Sequence, residues 1–188
     1  MSQPNAIVAG SIAAIAQREG QSLAETFLNC DAVILVDCSA SMGAPDSRGG
    51  HTRYDVALEE LAELQKHLPG KLAVIAFSDN PIFCPGGQPP FLCGQTDLAK
   101  ALRFAKVADV PGMRFVVISD GQPDSATEAL AVARGYTNRI DVVYVGPEMA
   151  PTGRAFLEQL ARAAGGEAVT ADRVQRLAEK TATLLLGA

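Results

Sequence analysis

Residues 32–41 read Ala32-Val33-Ile34-Leu35-Val36-Asp37-Cys38-Ser39-Ala40-Ser41, five apolar side chains followed by a carboxylate and two hydroxyls at alternate positions. A short Val- and Ile-rich run with no polar position suits a strand buried on both faces, as in a parallel sheet. The polar group begins where that strand would end. The same form returns in Leu72–Phe77 (LAVIAF), Phe115–Ile118 (FVVI) and Ile140–Val145 (IDVVYV). Between these runs the apolar spacing turns helical. Tyr54–Leu68 aligns Val56, Leu58, Leu61, Leu64 and Leu68, and Thr96–Ala108 aligns Leu98, Leu102 and Ala105. Ser125–Ala133 and Ala155–Ala164 repeat the theme, and a short strand at Glu167–Thr170 precedes a final helix from about Asp172. Strands alternating with helices predict an α/β fold: a doubly wound, mostly parallel sheet flanked by helices.

Punctuation agrees with that order. Pro69-Gly70, Pro111-Gly112 and Gly165-Gly166 each end a helix just before a strand. Residues 1–30 stand outside the alternation. They read as an N-terminal extension of one or two short amphipathic helices broken at Gly20, with Leu23, Phe27 and Leu28 as an apolar edge. Residues 31–188 form the main domain.

Length and composition bound the function. The chain has 188 residues, enough for one domain with a sizeable core. A hydrophobic content of 48% excludes a disordered chain. The net charge of -5 and the lack of Trp disfavour nucleic acid as a partner. No segment approaches the length of a membrane span. Ala6–Ala16 is apolar but short, with no Lys or Arg before it, so it reads as a helix and not as a signal peptide. A cytoplasmic protein is expected. The four cysteines lack metal-site spacing, and in a reducing compartment they stay free; Cys84 and Cys93 bracket a loop and would pair only if oxidised.

In such a sheet ligands bind beyond the carboxyl ends of the strands. There the sequence places Asp37, Ser39 and Ser41 after the first strand, and Ser119-Asp120-Gly121 after the strand Phe115–Ile118. The helix at Thr96 begins at the same edge. An all-oxygen set suits a hard cation, chiefly Mg²⁺, with Mn²⁺ or Ca²⁺ possible. Neutral hydroxyls leave the ion electrophilic enough to accept an outside carboxylate. The plainer alternative is that Asp37 caps a turn and the serines bond locally. Asp97 reads as a first-turn residue; Asp124 or Ser125 can cap the helix that follows Pro123, and Asp124 is read as a cap and not as a ligand. His51 reads as a solvated loop residue, and His67 suits its position near a helix end. Cys38 should point into the core, and Arg48 and Arg53 are expected to be surface charges that rim the site if the partner is acidic.

Taken together, Asp37-x-Ser39-x-Ser41, Thr96 within Gly94-Gln95-Thr96-Asp97-Leu98, and Ser119-Asp120-Gly121 resemble the von Willebrand factor A (VWA) domain and its metal-ion-dependent adhesion site. The resemblance covers roughly residues 31–188. It extends to Phe156-Leu157-x-x-Leu160-Ala161-x-x-Ala164-Gly165-Gly166, which is similar to the family's penultimate helix. The family usually has Gly or Asn before the Thr, where this chain has Gln95. The resemblance implies that Ser39 and Ser41 bind the ion directly and that Thr96 joins them when a ligand is bound. Asp37 and Asp120 would act mostly through water, with Asp120 able to bind directly in the unliganded form. It also implies a metal-dependent protein-interaction module that grips a partner's Asp or Glu. Intracellular members work beside AAA+ ATPases or other complex subunits.

Two other function classes remain at this point. A Mg²⁺-dependent phosphoester hydrolase or phosphotransferase would need machinery that the sequence does not offer. There is no G-x-x-x-x-G-K-[ST] loop, no G-x-S-x-G elbow, and Ser39 stands where a D-x-D nucleophile motif requires Asp. An enzyme is therefore not expected. The other is a structural subunit that acts without metal.

Overall fold

The computed structural model describes residues 7–147 and 151–170. The final helix expected from about Asp172 lies outside the described residues. Six strands form one sheet: β1 (Ala32–Asp37), β2 (Leu72–Phe77), β3 (Pro81–Phe83), β4 (Arg114–Ser119), β5 (Ile140–Tyr144) and β6 (Ala168–Thr170). Their order across the sheet is β3-β2-β1-β4-β5-β6. All neighbours are parallel except the β2–β3 pair at the edge. The fold is thus the doubly wound, mostly parallel α/β sheet that the sequence predicts.

The helices are α1 (Ile12–Glu19), α2 (Leu23–Leu28), α3 (Arg53–His67), α4 (Leu98–Ala105), α5 (Ala126–Ala133) and α6 (Pro151–Ala163). Every position of β1, β2 and β4 is buried, because helices cover both faces. Alternation along β1 divides the core. Ala32, Ile34 and Val36 pack with Val56, Leu61 and Leu64 of α3. Val33 and Leu35 belong to the opposite layer, with Leu102 of α4, Ala129 of α5 and Leu160 of α6. Each fully buried Leu, Ile, Val or Phe stabilises the fold by roughly 1.5–3 kcal/mol relative to exposure.

The element ends show where local chemistry moved the boundaries. The apolar run from Ala6 becomes helical only at Ile12, where Ser11 caps α1 just after Gly10 takes a positive φ of 87°. The chain breaks at Gly20, as expected, and Ser22 with Glu25 builds a capping box that starts α2. Phe27 stacks edge-on against Phe83, whereas Leu23 and Leu28 remain 45% and 81% exposed, so that apolar edge is only partly covered. Helix α4 starts at Leu98, not Thr96, because Asp97 is its N-cap and accepts the Lys100 N–H at 2.9 Å. Helix α6 begins at Pro151, earlier than the apolar spacing alone implies. Strand β3 has three residues, too few for any periodicity to register, and its Pro81 suits an edge position.

Strand order fixes where a ligand can sit. The chain leaves β1 towards β2 on one side and resumes with β4 on the other. The crevice between the carboxyl ends of β1 and β4 is therefore the topological switch point, the usual ligand position in open α/β sheets. Asp37 ends β1, and Asp120 directly follows β4.

Candidate metal site

Burial brings the two carboxylates together. Asp37 and Asp120 are buried, and the charge of Asp120 helps to raise the Asp37 pKa. Desolvation is the larger cause, and together they push Asp37 up to about 6 despite two hydrogen bonds that favour its charged form. Those bonds brace it from both sides. The Ser39 N–H donates to Oδ1 at 3.0 Å, and the Ser119 hydroxyl donates to Oδ2 at 2.7 Å. Cys38 between them is fully buried in the α3-facing core layer, as its alternation requires.

After β1 the chain makes a 3-10 turn, Ala40–Gly43, anchored by the fully buried Met42. This turn sets the Ser39 and Ser41 hydroxyl oxygens 3.2 Å apart. Adjacent corners of an octahedron with metal–oxygen bonds of ~2.1 Å lie about 3.0 Å apart, so the pair suits neighbouring ligand positions on one small cation. Asp37 retains lone pairs on both bonded oxygens. Among the described residues no group of three or more His, Cys, Asp or Glu could hold a metal ion.

Thr96 arrives at the same edge from a separate loop. That loop is tied to the serine turn, since the Ala40 N–H donates to the Gly94 carbonyl at 3.0 Å and the Leu92 N–H to the Cys38 carbonyl at 3.1 Å. Cys93 and Gly94 both take positive φ, 61° and 85°. The second position favours Gly, because L side chains rarely adopt its φ and a Cβ there would also press on the Asp79 carboxylate. Asp79 in turn accepts the Gln95 N–H. Thr96 itself is buried and clamped by Asp124, whose Oδ1 accepts the Thr96 N–H while its own N–H donates to the Thr96 carbonyl, both at 3.0 Å.

Two sequence readings are corrected here. Asp124 does not cap α5; Ser125 does, accepting the Glu128 N–H, and Asp124 is free to hold Thr96. Arg53 is not a surface charge. It is 8% exposed and donates from Nη1 to Asp120 Oδ2 at 2.6 Å. Its Nε and Nη2 meet both oxygens of Asp46 at 2.7 Å, a fork-on-fork pair. The two carboxylates keep the guanidinium pKa well above its usual range. Nothing in the local sequence marks this role; the partner lies 67 positions away. Arg48, by contrast, stays at the surface and pairs with Glu59 and Glu60. His51 is exposed and meets Glu59, consistent with a solvated loop residue.

The remaining contacts fix the frame. The Ser119 hydroxyl also accepts the Gly121 N–H, and Asp120 Oδ1 accepts the Gln122 N–H at 3.3 Å. The Asp120–Gly121 turn presses against the first turn of α6. A Cβ on Gly153 would lie 2.1 Å from the Asp120 carbonyl oxygen, and one on Gly121 would lie 2.1 Å from that of Gly153. The four cysteines are unpaired, Cys84 buried and Cys93 exposed.

No family model matches the chain, and no curated protein matches it by sequence. Solved structures do match. An aerotolerance-related membrane protein from Bacteroides fragilis superposes with a TM-score of 0.68 at 16% identity, over 82% of this chain and 99% of that one. BatB from Bacteroides thetaiotaomicron gives 0.63 at 15% identity, over 84% and 100%. A von Willebrand factor type A protein from Catenulispora acidiphila gives 0.62 at 18%, over 81% of this chain and 42% of that one. At these identities the likeness is one of fold, and the fold is the Rossmann-like α/β arrangement of VWA domains. Among the described residues no helix is long and apolar enough to cross a membrane.

Proposed function

We propose that this chain is a metal-dependent protein-interaction module. Asp37, Ser39, Ser41, Thr96 and Asp120 would hold one divalent cation, Mg²⁺ for preference and Mn²⁺ or Ca²⁺ as substitutes. The bound ion would supply an electrophilic position for the carboxylate of a partner's Asp or Glu. The chain's own residues do the rest. Asp37 balances charge and is held in place by Ser39 and Ser119. The serines present neutral oxygens, which leave more of the ion's charge for the incoming acid. Asp124 holds Thr96 at the rim. The observation that carries this reading is the pair of hydroxyl oxygens 3.2 Å apart beside a braced carboxylate, at the switch point of the sheet. The partner class is a protein, with an AAA+ ATPase or another subunit of an intracellular complex as the first candidates in a cytoplasmic setting. No catalytic role is assigned.

The Arg53–Asp120 pair supports a second reading, in which a built-in guanidinium supplies the positive charge and the surface works without metal. Capture of partners from the native host, with and without EDTA, separates the two. The first reading predicts partners lost in EDTA and lost with Asp37→Ala. Capture at wild-type level by Asp37→Ala contradicts it.

A further inference from the structure

We infer that Arg53 is a positioning residue that holds Asp120 away from direct contact with the cation, so that the site binds metal weakly and leaves the ion open to an outside carboxylate. This rests on the metal reading above and deepens it.

The geometry is specific. Arg53 is the first residue of α3, fixed by its own N–H to the Ala44 carbonyl and by the Thr52 cap beside it. Asp46 grips Nε and Nη2, which aims the remaining nitrogen, Nη1, at Asp120 Oδ2. A bidentate fork of this kind sets direction as well as distance. The receiving carboxylate is buried, and its other oxygen already accepts the Gln122 N–H. To enter the inner shell of an ion, Asp120 would have to give up a 2.6 Å charge-assisted bond and leave Arg53 with Asp46 alone.

Charge points the same way. Asp37 is braced by neutral donors only, whereas Asp120 has a full positive charge against it. Of the two carboxylates at this sheet edge, one is therefore compensated from within the chain. A divalent ion meets a site less negative than its residues suggest and finds one anionic ligand pinned. Its attraction to a partner's carboxylate is correspondingly less quenched. Arg53 thus trades affinity for the ion against affinity for the partner.

The sign of this effect separates it from an ordinary structural role. A residue that merely supports the fold would, on removal, leave metal affinity unchanged or weaken it. The inference requires Arg53→Gln to tighten it. The experiment is calorimetric titration of the full chain with Mn²⁺ and Mg²⁺, without partner, on wild type, Arg53→Gln, Asp46→Asn and Arg48→Gln, with melting curves for each. Arg53→Gln should bind at least ~10-fold more tightly, the order of change that groups bracing metal ligands produce. Asp46→Asn loosens the grip that aims Nη1 at Asp120, so it should bind more tightly than wild type although it removes a negative charge, a sign opposite to that of charge loss alone. Arg48→Gln removes a surface positive charge paired with Glu59 and Glu60 and should stay within about twofold. Binding by Arg53→Gln where wild type shows no heat also supports the inference. Unchanged or weaker binding by Arg53→Gln overturns it while the metal reading stands. Equal tightening by Arg48→Gln overturns it as a general charge effect. No binding by either wild type or Arg53→Gln overturns both. If Arg53→Gln fails to fold, Asp46→Asn decides, since unchanged or weaker binding by that variant contradicts the mechanism.

Discussion

Asp120 uses its two oxygens for different ends, one for its own turn and one for Arg53. Two uncompensated carboxylates in a small crevice repel each other, and neutralising one would stabilise the metal-free protein. The ion pair reverses that sign for Asp120. Removing one partner of a buried pair typically costs ~3–5 kcal/mol; Asp46 still holds Arg53, so Asp120→Asn should cost about 3 kcal/mol or less. A lowered melting temperature in metal-free buffer is the expected result, and an unchanged or raised one contradicts it. Glu60 gives a second prediction. Burial pushes its pKa from 4.5 up to about 7, against the pull of Arg48. The folded state then binds the proton more tightly than the unfolded state. The contribution is complete below about 4.5 and is lost as pH rises through 7, at up to ~1.4 kcal/mol per pH unit. Glu60→Gln should therefore gain on wild type in denaturant stability between pH 4.5 and 7, and a difference independent of pH would refute this. Legibility at this scale follows sequence distance. Asp37, Ser39 and Ser41 announce themselves by alternation after an apolar run, whereas the ties of Arg53 to Asp120 and of Asp124 to Thr96 span 67 and 28 positions and leave no local signal.

The Thr96 loop is the element on which binding should depend most. Side chains hold it at two adjacent positions next to α4: Asp79 accepts the Gln95 N–H, and Asp124 accepts the Thr96 N–H. Asp124→Ala removes the second tie without opening the core. Metal affinity should fall roughly 10- to 100-fold, the usual effect of losing a group that orients a ligand. Amide exchange in residues 81–97 should rise while the melting curve moves little. Unaltered exchange and unaltered affinity would show that Thr96 needs no such support. The strands and most helix positions were legible because long apolar runs and 3.6-residue spacing are redundant signals. Helix starts were less so, since the choice between Asp97 and Thr96, or Ser125 and Asp124, turns on which side chain reaches a free N–H. Strand β3 carries too few residues to signal itself and exists by pairing with β2.

At the scale of the whole molecule, one topological fact puts the site where it is: β1 and β4 are neighbours although α3, β2, β3 and α4 lie between them in sequence. The alternation of strands and helices made a parallel sheet legible, and the S-D-G turn after the run Phe115–Ile118 placed Asp120 at the edge that Asp37 occupies. The N-terminal segment is tied to the same body. Ile12 belongs to the main core layer, and the Val8 and Ala13 N–H groups donate to the Gly86 and Pro85 carbonyls. Deleting residues 1–29 should lower the melting temperature, because it uncovers part of that layer; an unaltered melting curve and unaltered size would show the segment to be independent. The metal site admits a more direct trial. Calorimetric titration of the full chain with Mg²⁺ and with Mn²⁺ should give saturable binding of one ion per chain, and the paired change Ser39→Ala, Ser41→Ala should abolish it with the fold intact. Absence of binding at millimolar metal by both the wild-type chain and Arg53→Gln, or equal binding by the serine-less variant, would contradict the proposed site.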